Sequence, residues 1–502
     1  MSSPRVAIVG AGFGGIATAI ALRQAGVQRV ELYERAEHLG GVWWFNDYPG
    51  AACDIPSAMY SYSYAQRKDW SRPCPSRDEV LGYMADVARE HRVDEQIRLN
   101  TEITAARFDE TTMAWTLESA DGATFEADVL VLACGQLSRP AIPNVPGRET
   151  FGGQQFHSAE WPAGEDLAGK RVAVVGTGAT AVQVIPAIAE AAARVDVVQR
   201  SAAWMLPRQN EDYSPFTLSL IKRVPGLQWA RRRFLQTFGV AVTAGLVRNP
   251  RFNLPWQLWS AAYLRLRVKD PVLRAKLRPR DPFGCKRMLF SSKYYETVQR
   301  PDVALLTQGI DRVTKTGIAY ADGIERDVDT IVWATGFQDA LVAPMDVTGR
   351  DGQRLADTWA GGEVAHHGIT VHGFPNAFLL YGPNTNLGSG SIIEMLEAQA
   401  SYIVQAVGML PADGGYAIEV TAAAQELSNA ALDHEMRSTV WNGCDSWYRK
   451  DHTGRITRNW PMSVREYVET VAVPARHDFA LLRPSHDAHP APVVPPPSRT
   501  AA

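Results

Sequence analysis

Two glycine turns in this chain have the spacing that brings backbone N–H groups against a pyrophosphate. The first is Gly10-Ala-Gly12-Phe-Gly-Gly15 and the second is Gly176-Thr-Gly178-Ala-Thr-Ala181. Each follows a short apolar run, residues 5–9 and 171–175, and each leads into a stretch rich in Ala, Ile and Val with helical periodicity. A strand, a tight turn and a helix N-terminus make an anion cradle, because glycine lets the backbone come close and the first helical N–H groups have no partner of their own. The chemistry expected is dinucleotide binding, twice. Glu34 and Arg200 each stand 24 positions beyond the first glycine of their turn, and they separate the two ligands. Glu34 can accept hydrogen bonds from both hydroxyls of an adenosine ribose and would repel a 2′-phosphate, which suits FAD. Arg200 offers a charged fork to that phosphate, with the Ser201 hydroxyl beside it, which suits NADPH. Around Gly176 and Gly178, the residues Thr177, Ala179, Thr180 and Gln183 are candidate pyrophosphate contacts.

These residues need two similar frames to hold them. Residues 128–135 and 329–336 repeat as apolar strands ending in a small residue and glycine, where a backbone must approach another segment closely. The fold expected is α/β, with two Rossmann-like dinucleotide-binding domains, the NADPH domain inserted in the FAD domain and carrying a helical insertion. The first part of the FAD domain is expected over residues 1–145. The NADPH domain follows over 146–370, with the insertion at about 205–287. The FAD domain and a C-terminal loop return over 371–472. Residues 473–502 are rich in Pro, Ala and His and are expected to be a disordered tail.

Composition narrows the function classes. The 502 residues are 46% hydrophobic and 21% charged, with a net charge of only −3, so the molecule as a whole has no strong field for nucleic acid. Five scattered cysteines form no C-x-x-C pair and no zinc spacing, which argues against a metal and against dithiol chemistry, and suits a reducing cytoplasm. The apolar run at residues 6–9 enters a glycine turn directly, as a buried strand does and an export signal does not. Residues 234–247 are too short and too interrupted to span a bilayer. A soluble, cytoplasmic protein is expected. Residues 205–287 stand apart, with 17 Lys/Arg against four Asp/Glu. Helical stretches are expected there at 218–233 and 256–277. The basic excess suits a solvated face, an approach for an anionic cofactor, or contact with a membrane surface.

Two further constellations lie beyond Glu34. One is Gly41-Val-Trp43-Trp44-Phe-Asn-Asp-Tyr48-Pro-Gly50-Ala-Ala-Cys-Asp54, and the other is Phe151-Gly-Gly153-Gln-Gln-Phe-His157-Ser-Ala-Glu-Trp161-Pro162. They match the patterns G-x-W-x(4)-[FY]-P-G-x(3)-D and F-x-G-x(3)-H-x(3)-W-P. Through them, and through Phe283-Gly-Cys-Lys286-Arg287, the chain resembles the type I Baeyer–Villiger monooxygenases over nearly its whole length. It looks closest to the phenylacetone monooxygenase branch.

The resemblance implies that NADPH reduces FAD, that O2 adds to the reduced flavin, and that the peroxyflavin attacks a ketone to yield an ester or lactone. Arg287 would be the catalytic cation that stabilises the peroxide, and Asp54 would orient it beside the flavin. Taken alone, Asp54 could equally cap a helix. Lys286 would join Arg200 and Ser201 at the 2′-phosphate. Trp43, Trp44 and Tyr60 align with flavin contacts and Ile103 with an adenine contact, although plain core packing would account for such residues too. Trp447 would contact the nicotinamide nucleotide, but the Tyr-Arg-Lys-Asp-His that follows departs from the branch pattern. His157 invites an acid–base role, yet a hinge between domains suits its linker position better. Residues 382–392 should return to the flavin ring. The sister class, flavin-containing monooxygenases acting on amines or sulfides, shares the chemistry but usually lacks the Trp-Pro ending. A flavin-binding protein without oxygenation is opposed by Arg287, Asp54 and both patterns.

Overall fold

The structure is a computed structural model, and it describes residues 3–484 apart from 209, 248–249, 343, 413, 445–447 and 450–452. Two five-stranded parallel sheets form its frame. The first runs in the order Ala377–Leu379, Val129–Leu132, Arg5–Val9, Arg29–Tyr33, Ile97–Arg98. The second runs Val303–Leu306, Arg194–Val198, Arg171–Val175, Thr330–Trp333, Gln154–His157. Central strands such as Val129–Leu132 and Thr330–Trp333 are buried along their full length, as expected of parallel strands covered on both faces. In each unit a three-stranded antiparallel meander precedes the closing strand, at 103–127 in the first and 310–327 in the second.

The first glycine of each turn has a visible purpose. Gly10 has φ +109°, and a Cβ there would lie 2.5 Å from the Ala133 carbonyl oxygen. Gly176 has φ +121°, and its Cβ would lie 2.3 Å from the Ala334 carbonyl oxygen. Both turns are therefore pressed onto their closing strand, and only glycine fits there.

The second unit is inserted in the first, and the two crossing segments run side by side: Pro140 pairs with Phe337, and Gln338 N–H donates to the Arg139 carbonyl. The chain has rejoined the first unit by Asp346–Thr348, which pairs with the strand Ile103–Asp109. That is earlier than the expected boundary after 370, because nothing in local composition marks the crossover.

The insertion is helical and is closed at its neck by Met205–Leu206 pairing with Leu289–Phe290. Its helices are Pro215–Arg223, Leu227–Val247, Leu254–Arg267 and Pro271–Lys276. The expected stretch 218–233 is broken at Pro225-Gly226, where Gly226 has φ +76°, and the stretch 256–277 is broken ahead of the Asp270 cap. The expected tail begins too early as well. Phe479–Leu482 is a strand paired with Ala417–Val420, the apolar Phe-Ala-Leu-Leu run outweighing the surrounding Pro and Ala. Residues 485–502 lie outside the described residues.

Candidate active site between the two nucleotide units

One cavity of about 700 Å³ is shared by the two glycine turns, the 41–60 loop, the insertion and the returning C-terminal part. Its first end is built on Glu34, which is buried at the end of its strand. One carboxylate oxygen accepts the Ala11 N–H at 2.9 Å and the other accepts the Ala36 N–H at 3.0 Å. The carboxylate is thereby fixed with lone pairs left over, the acceptors that a ribose diol needs. Gly10, Gly12 and Ile103 line the same end. A Cβ on Gly41 would come within 3.2 Å of Gly12 Cα, so two glycines face each other where a pyrophosphate would thread. Gly15 serves packing instead, since its Cβ would meet the Gly10 carbonyl oxygen at 2.0 Å. These residues fit FAD.

Trp43 and Tyr60 also line the cavity. The Trp43 indole donates to the Tyr60 hydroxyl at 3.1 Å, and the rings meet edge to face at 5.6 Å. Trp44 does not line it. Its ring stacks on His38, 4.9 Å away at 13°, with the Arg77 guanidinium 5.7 Å from its centre. In the short helix Val42–Phe45 consecutive side chains diverge, so neighbouring tryptophans cannot serve one cavity equally.

The second turn presents Ala179 and Thr180 to the same cavity at the N-terminus of the helix Ala179–Ile188. The Thr177 hydroxyl donates to the Ser201 carbonyl at 3.0 Å, tying the turn around Gly176 and Gly178 to the end of the next strand. The Lys286 ammonium donates to the Ser201 hydroxyl at 3.3 Å and pairs with Asp281 at 2.6 Å. Arg200 is exposed beside Ser201. Lys286 and Ser201, 85 positions apart in sequence, are thus brought into contact beside Arg200, and the three residue types fit the 2′-phosphate of NADPH. Gln183 faces the cavity too, but its amide is committed elsewhere. It donates to the Ala52 carbonyl at 2.9 Å and accepts from the Tyr48 hydroxyl at 3.0 Å and the Ala52 N–H at 3.3 Å. It clasps the first unit's loop from the second.

At the centre stand Asp54 and Arg287. One Nη2 of Arg287 donates to both Asp54 oxygens, at 2.6 and 2.8 Å. Asp54 is 17% exposed and opens no helix, while Arg287 keeps 54% of its side-chain surface open and lines the cavity. The Asp54 carboxylate holds the Arg287 guanidinium even further toward its charged form, outweighing the cost of burial. Desolvation, with the nearby Asp54 charge adding to it, pushes the part-buried Tyr48 phenol up to about 12.

Several neighbours carry no sequence signal that singles them out. Tyr381, whose hydroxyl donates to Asn386 at 2.6 Å, and Tyr448 both lie close enough to feel the Arg287 charge. Arg208 donates to the Cys53 carbonyl from across the junction. Leu235, Phe238 and Val242 form a wall from the insertion. The segment 386–390 and Ile392 do return to the cavity, in the place expected for 382–392. Ser446 and Trp447 lie outside the described residues.

Cys285 and Cys444, far apart in sequence, form a disulfide across 159 residues, next to Lys286 and Arg287. Only the fold brings them together, as the Trp441 indole donating to the Gly284 carbonyl at 3.0 Å also shows. His157 is fully buried outside the cavity, accepts the Ala159 N–H, and meets the Phe337 ring of the crossing segment at 5.5 Å. Burial lowers its pKa, keeping it neutral, and its place at the junction suits a hinge rather than proton transfer.

Known proteins share this architecture. The family described as pyridine nucleotide-disulphide oxidoreductase matches residues 4–229. A Baeyer–Villiger monooxygenase of Streptomyces coelicolor is 37% identical over 96% of this chain and 93% of its own length. One from Pseudomonas aeruginosa is 38% identical over 91% of this chain and 87% of its own. Among solved structures, OTEMO in complex with FAD and NADP superimposes with a TM-score of 0.85 at 31% identity, covering 96% of this chain and 99% of that one.

Proposed function

The chain belongs to the Baeyer–Villiger monooxygenase family, and from that premise we propose that Arg287, anchored by Asp54, is the fixed positive charge beside which a ketone is converted to an ester or lactone. The enzyme uses FAD and NADPH. When bound, FAD supplies the redox chemistry, taking electrons from NADPH and activating O2. Glu34, Gly10, Gly12, Trp43, Tyr60 and Ile103 would hold FAD, and Arg200, Ser201, Lys286, Ala179 and Thr180 would hold NADPH. Arg287 stays protonated at every working pH, so it needs no proton bookkeeping to stabilise negative charge developing on a carbonyl oxygen. Asp54 fixes its direction, Gln183 holds the two units in register, and Leu235, Phe238 and Val242 keep water from the reacting atoms.

The observation that carries this reading is the Arg287–Asp54 contact inside a cavity shared by both nucleotide turns. A cytoplasmic site of action belongs to the proposal, since that compartment maintains NADPH. The test supplies NADPH, O2, a cyclic ketone and a thioether to the holoenzyme and identifies the products. One lactone formed per NADPH consumed supports the assignment. Sulfoxide as the sole product, with the ketone untouched, would overturn it in favour of heteroatom oxidation.

A further inference from the structure

The helical insertion exposes large apolar side chains that a solvated surface does not need. On the helix Leu227–Val247 Trp229 and Val240 stand on one flank of the solvent side, 65 and 38% exposed, and Phe234 and Phe238 on the other, 71 and 48% exposed. The inward face of that helix buries Gln228 and Arg232. Arg232 is satisfied there by the Ala58 and Ser61 carbonyls and lies 3.8 Å from Glu397. The helix Leu254–Arg267 buries Ser260, Tyr263 and Leu264 and likewise exposes Leu258, Trp259 and Leu266.

The two outward faces are continuous. Phe238 meets Trp256 edge-on at 5.8 Å, and Trp256 meets Trp259 at 5.8 Å. A water-facing apolar patch spread over two helices marks a partner.

Charge identifies the partner. The patch lies in the segment that holds 17 Lys/Arg against four Asp/Glu, while the whole chain is at −3, so the remainder of the protein is strongly acidic. Arg233 stands over the Trp229 ring at 5.8 Å, and Lys222, Arg223 and Arg265 are exposed nearby in sequence. Aromatic and aliphatic side chains rimmed by cations are what an anionic bilayer surface receives: the rings enter the headgroup boundary and the cations stay with the phosphates. The acidic remainder would be repelled, which sets one orientation. A second copy is a poor occupant, because a twofold interface would place two such basic segments against each other. No helix among the described residues is long and apolar enough to cross a membrane, so the contact is with the surface.

Phe238 has a second role. With Leu235 and Val242 of the same helix it lines the cavity that holds Arg287. One helix is thus both the outer apolar face and the cavity wall.

We propose that the outward face of Leu227–Val247 and Leu254–Arg267 docks on a bilayer surface containing anionic phospholipid, and that lipophilic ketones pass from that surface beside Phe238 into the cavity. The passage rests on the ketone-oxidising assignment above, whereas the docking stands without it.

The experiment mixes FAD-loaded enzyme with vesicles of phosphatidylcholine, with or without phosphatidylglycerol, and measures co-sedimentation. Binding is expected only with phosphatidylglycerol and is expected to fall as salt rises. The double variant Phe234→Ser/Trp259→Ser, and separately Arg233→Glu, should bind about tenfold more weakly. Flavin content and turnover of a short, water-soluble ketone should be unchanged in both. For a long-chain ketone presented in vesicles, the double variant should show a raised KM and an unaltered kcat.

Wild-type enzyme that stays in the supernatant, or binds both vesicles equally and independently of the variants, overturns the docking. A dimer that the double variant splits, without vesicle binding, assigns the face to a second copy instead. Intact anionic-vesicle binding with an unchanged KM for the long ketone overturns the passage alone. Intact binding with no oxidation of either ketone refutes the catalytic assignment and leaves the docking standing.

Discussion

Arg287 and Asp54 meet across the junction of the two nucleotide units, 233 residues apart in sequence, with a single Nη2 bonded to both carboxylate oxygens. Asp54 ends the loop that the second unit clasps, and Arg287 ends the insertion, so their contact registers the positions of both. Replacing Arg287 with alanine should cost at least ~3 kcal/mol in the oxygen-insertion step, the scale on which one preorganised charge-stabilising donor acts. The flavin would still be reduced, so NADPH would be consumed without product. Ester formed per NADPH consumed is the measurement, and Arg287→Ala that remains tightly coupled removes the residue from the mechanism. Asp54→Asn keeps a hydrogen-bonding partner without its charge, and should uncouple less.

Nucleotide choice is the second outcome to test. Lys286 is tied to Ser201, and the exposed Arg200 is the adjoining residue in the chain, which places both cations within the proposed 2′-phosphate region. A charge-assisted hydrogen bond is worth roughly 1.5–3 kcal/mol, so Arg200→Ala should raise the KM for NADPH by about tenfold or more. The KM for NADH, which lacks the 2′-phosphate, should hardly move. Equal changes for the two nucleotides would sink the assignment of the second site.

Where side chains repeat a local pattern, the sequence was legible. The two strand–glycine–helix units, with Glu34 beyond one strand end and Arg200 beyond the other, occupy the frame expected of them, because local spacing and backbone geometry determine them, whereas the pairing of Asp54 with Arg287 was implied only by the family resemblance. What could not be read depends on long-range approach. Tyr381 and Tyr448 reach Arg287 only through the returning C-terminal part, and Cys285 finds Cys444 only once the fold is complete. Trp44 illustrates the converse: it shares a pattern with Trp43, yet one helical step turns it onto His38. The exposed aromatics of the insertion were hidden because a helix with apolar residues on several sides does not reveal which of them faces in.

Gln183 offers a third test. Its amide makes three hydrogen bonds to Tyr48 and Ala52, and Gly50 between them has φ +83°, with a Cβ that would lie 2.9 Å from the Gln183 carbonyl oxygen. At about 1 kcal/mol for each bond, Gln183→Ala should loosen the junction by roughly 2–3 kcal/mol. Flavin bleaching by NADPH in a stopped-flow instrument should slow, while flavin content stays intact. Gly50→Ala should lower Tm, with backbone strain of order 1–3 kcal/mol. A Gln183→Ala enzyme that reduces its flavin at the wild-type rate would show that the clasp does not position the nucleotide.

Acid stability should trace to a pair of histidines far from the cavity. The His366 and His367 rings lie 3.9 Å apart, tilted by 47°, and are packed among Ser428, Tyr402, Tyr467 and Asp478. Burial, and then the neighbouring His366, lower the His367 pKa from 6.5 to about 3. Burial also lowers that of His366, against the pull of Asp478. In the folded protein both rings are therefore neutral where an unfolded chain would protonate them. The stability that His367 contributes is complete above pH 6.5 and drains away as pH falls from there toward about 3, at up to about 1.4 kcal/mol per pH unit, and His366 acts in the same direction. Denaturant unfolding at a series of pH values should show this slope, and His367→Gln should flatten it while lowering stability at neutral pH. A wild-type protein equally stable at pH 6.5 and about two units lower, where the unfolded rings are almost fully charged, would mean that these rings take up protons without opening the fold.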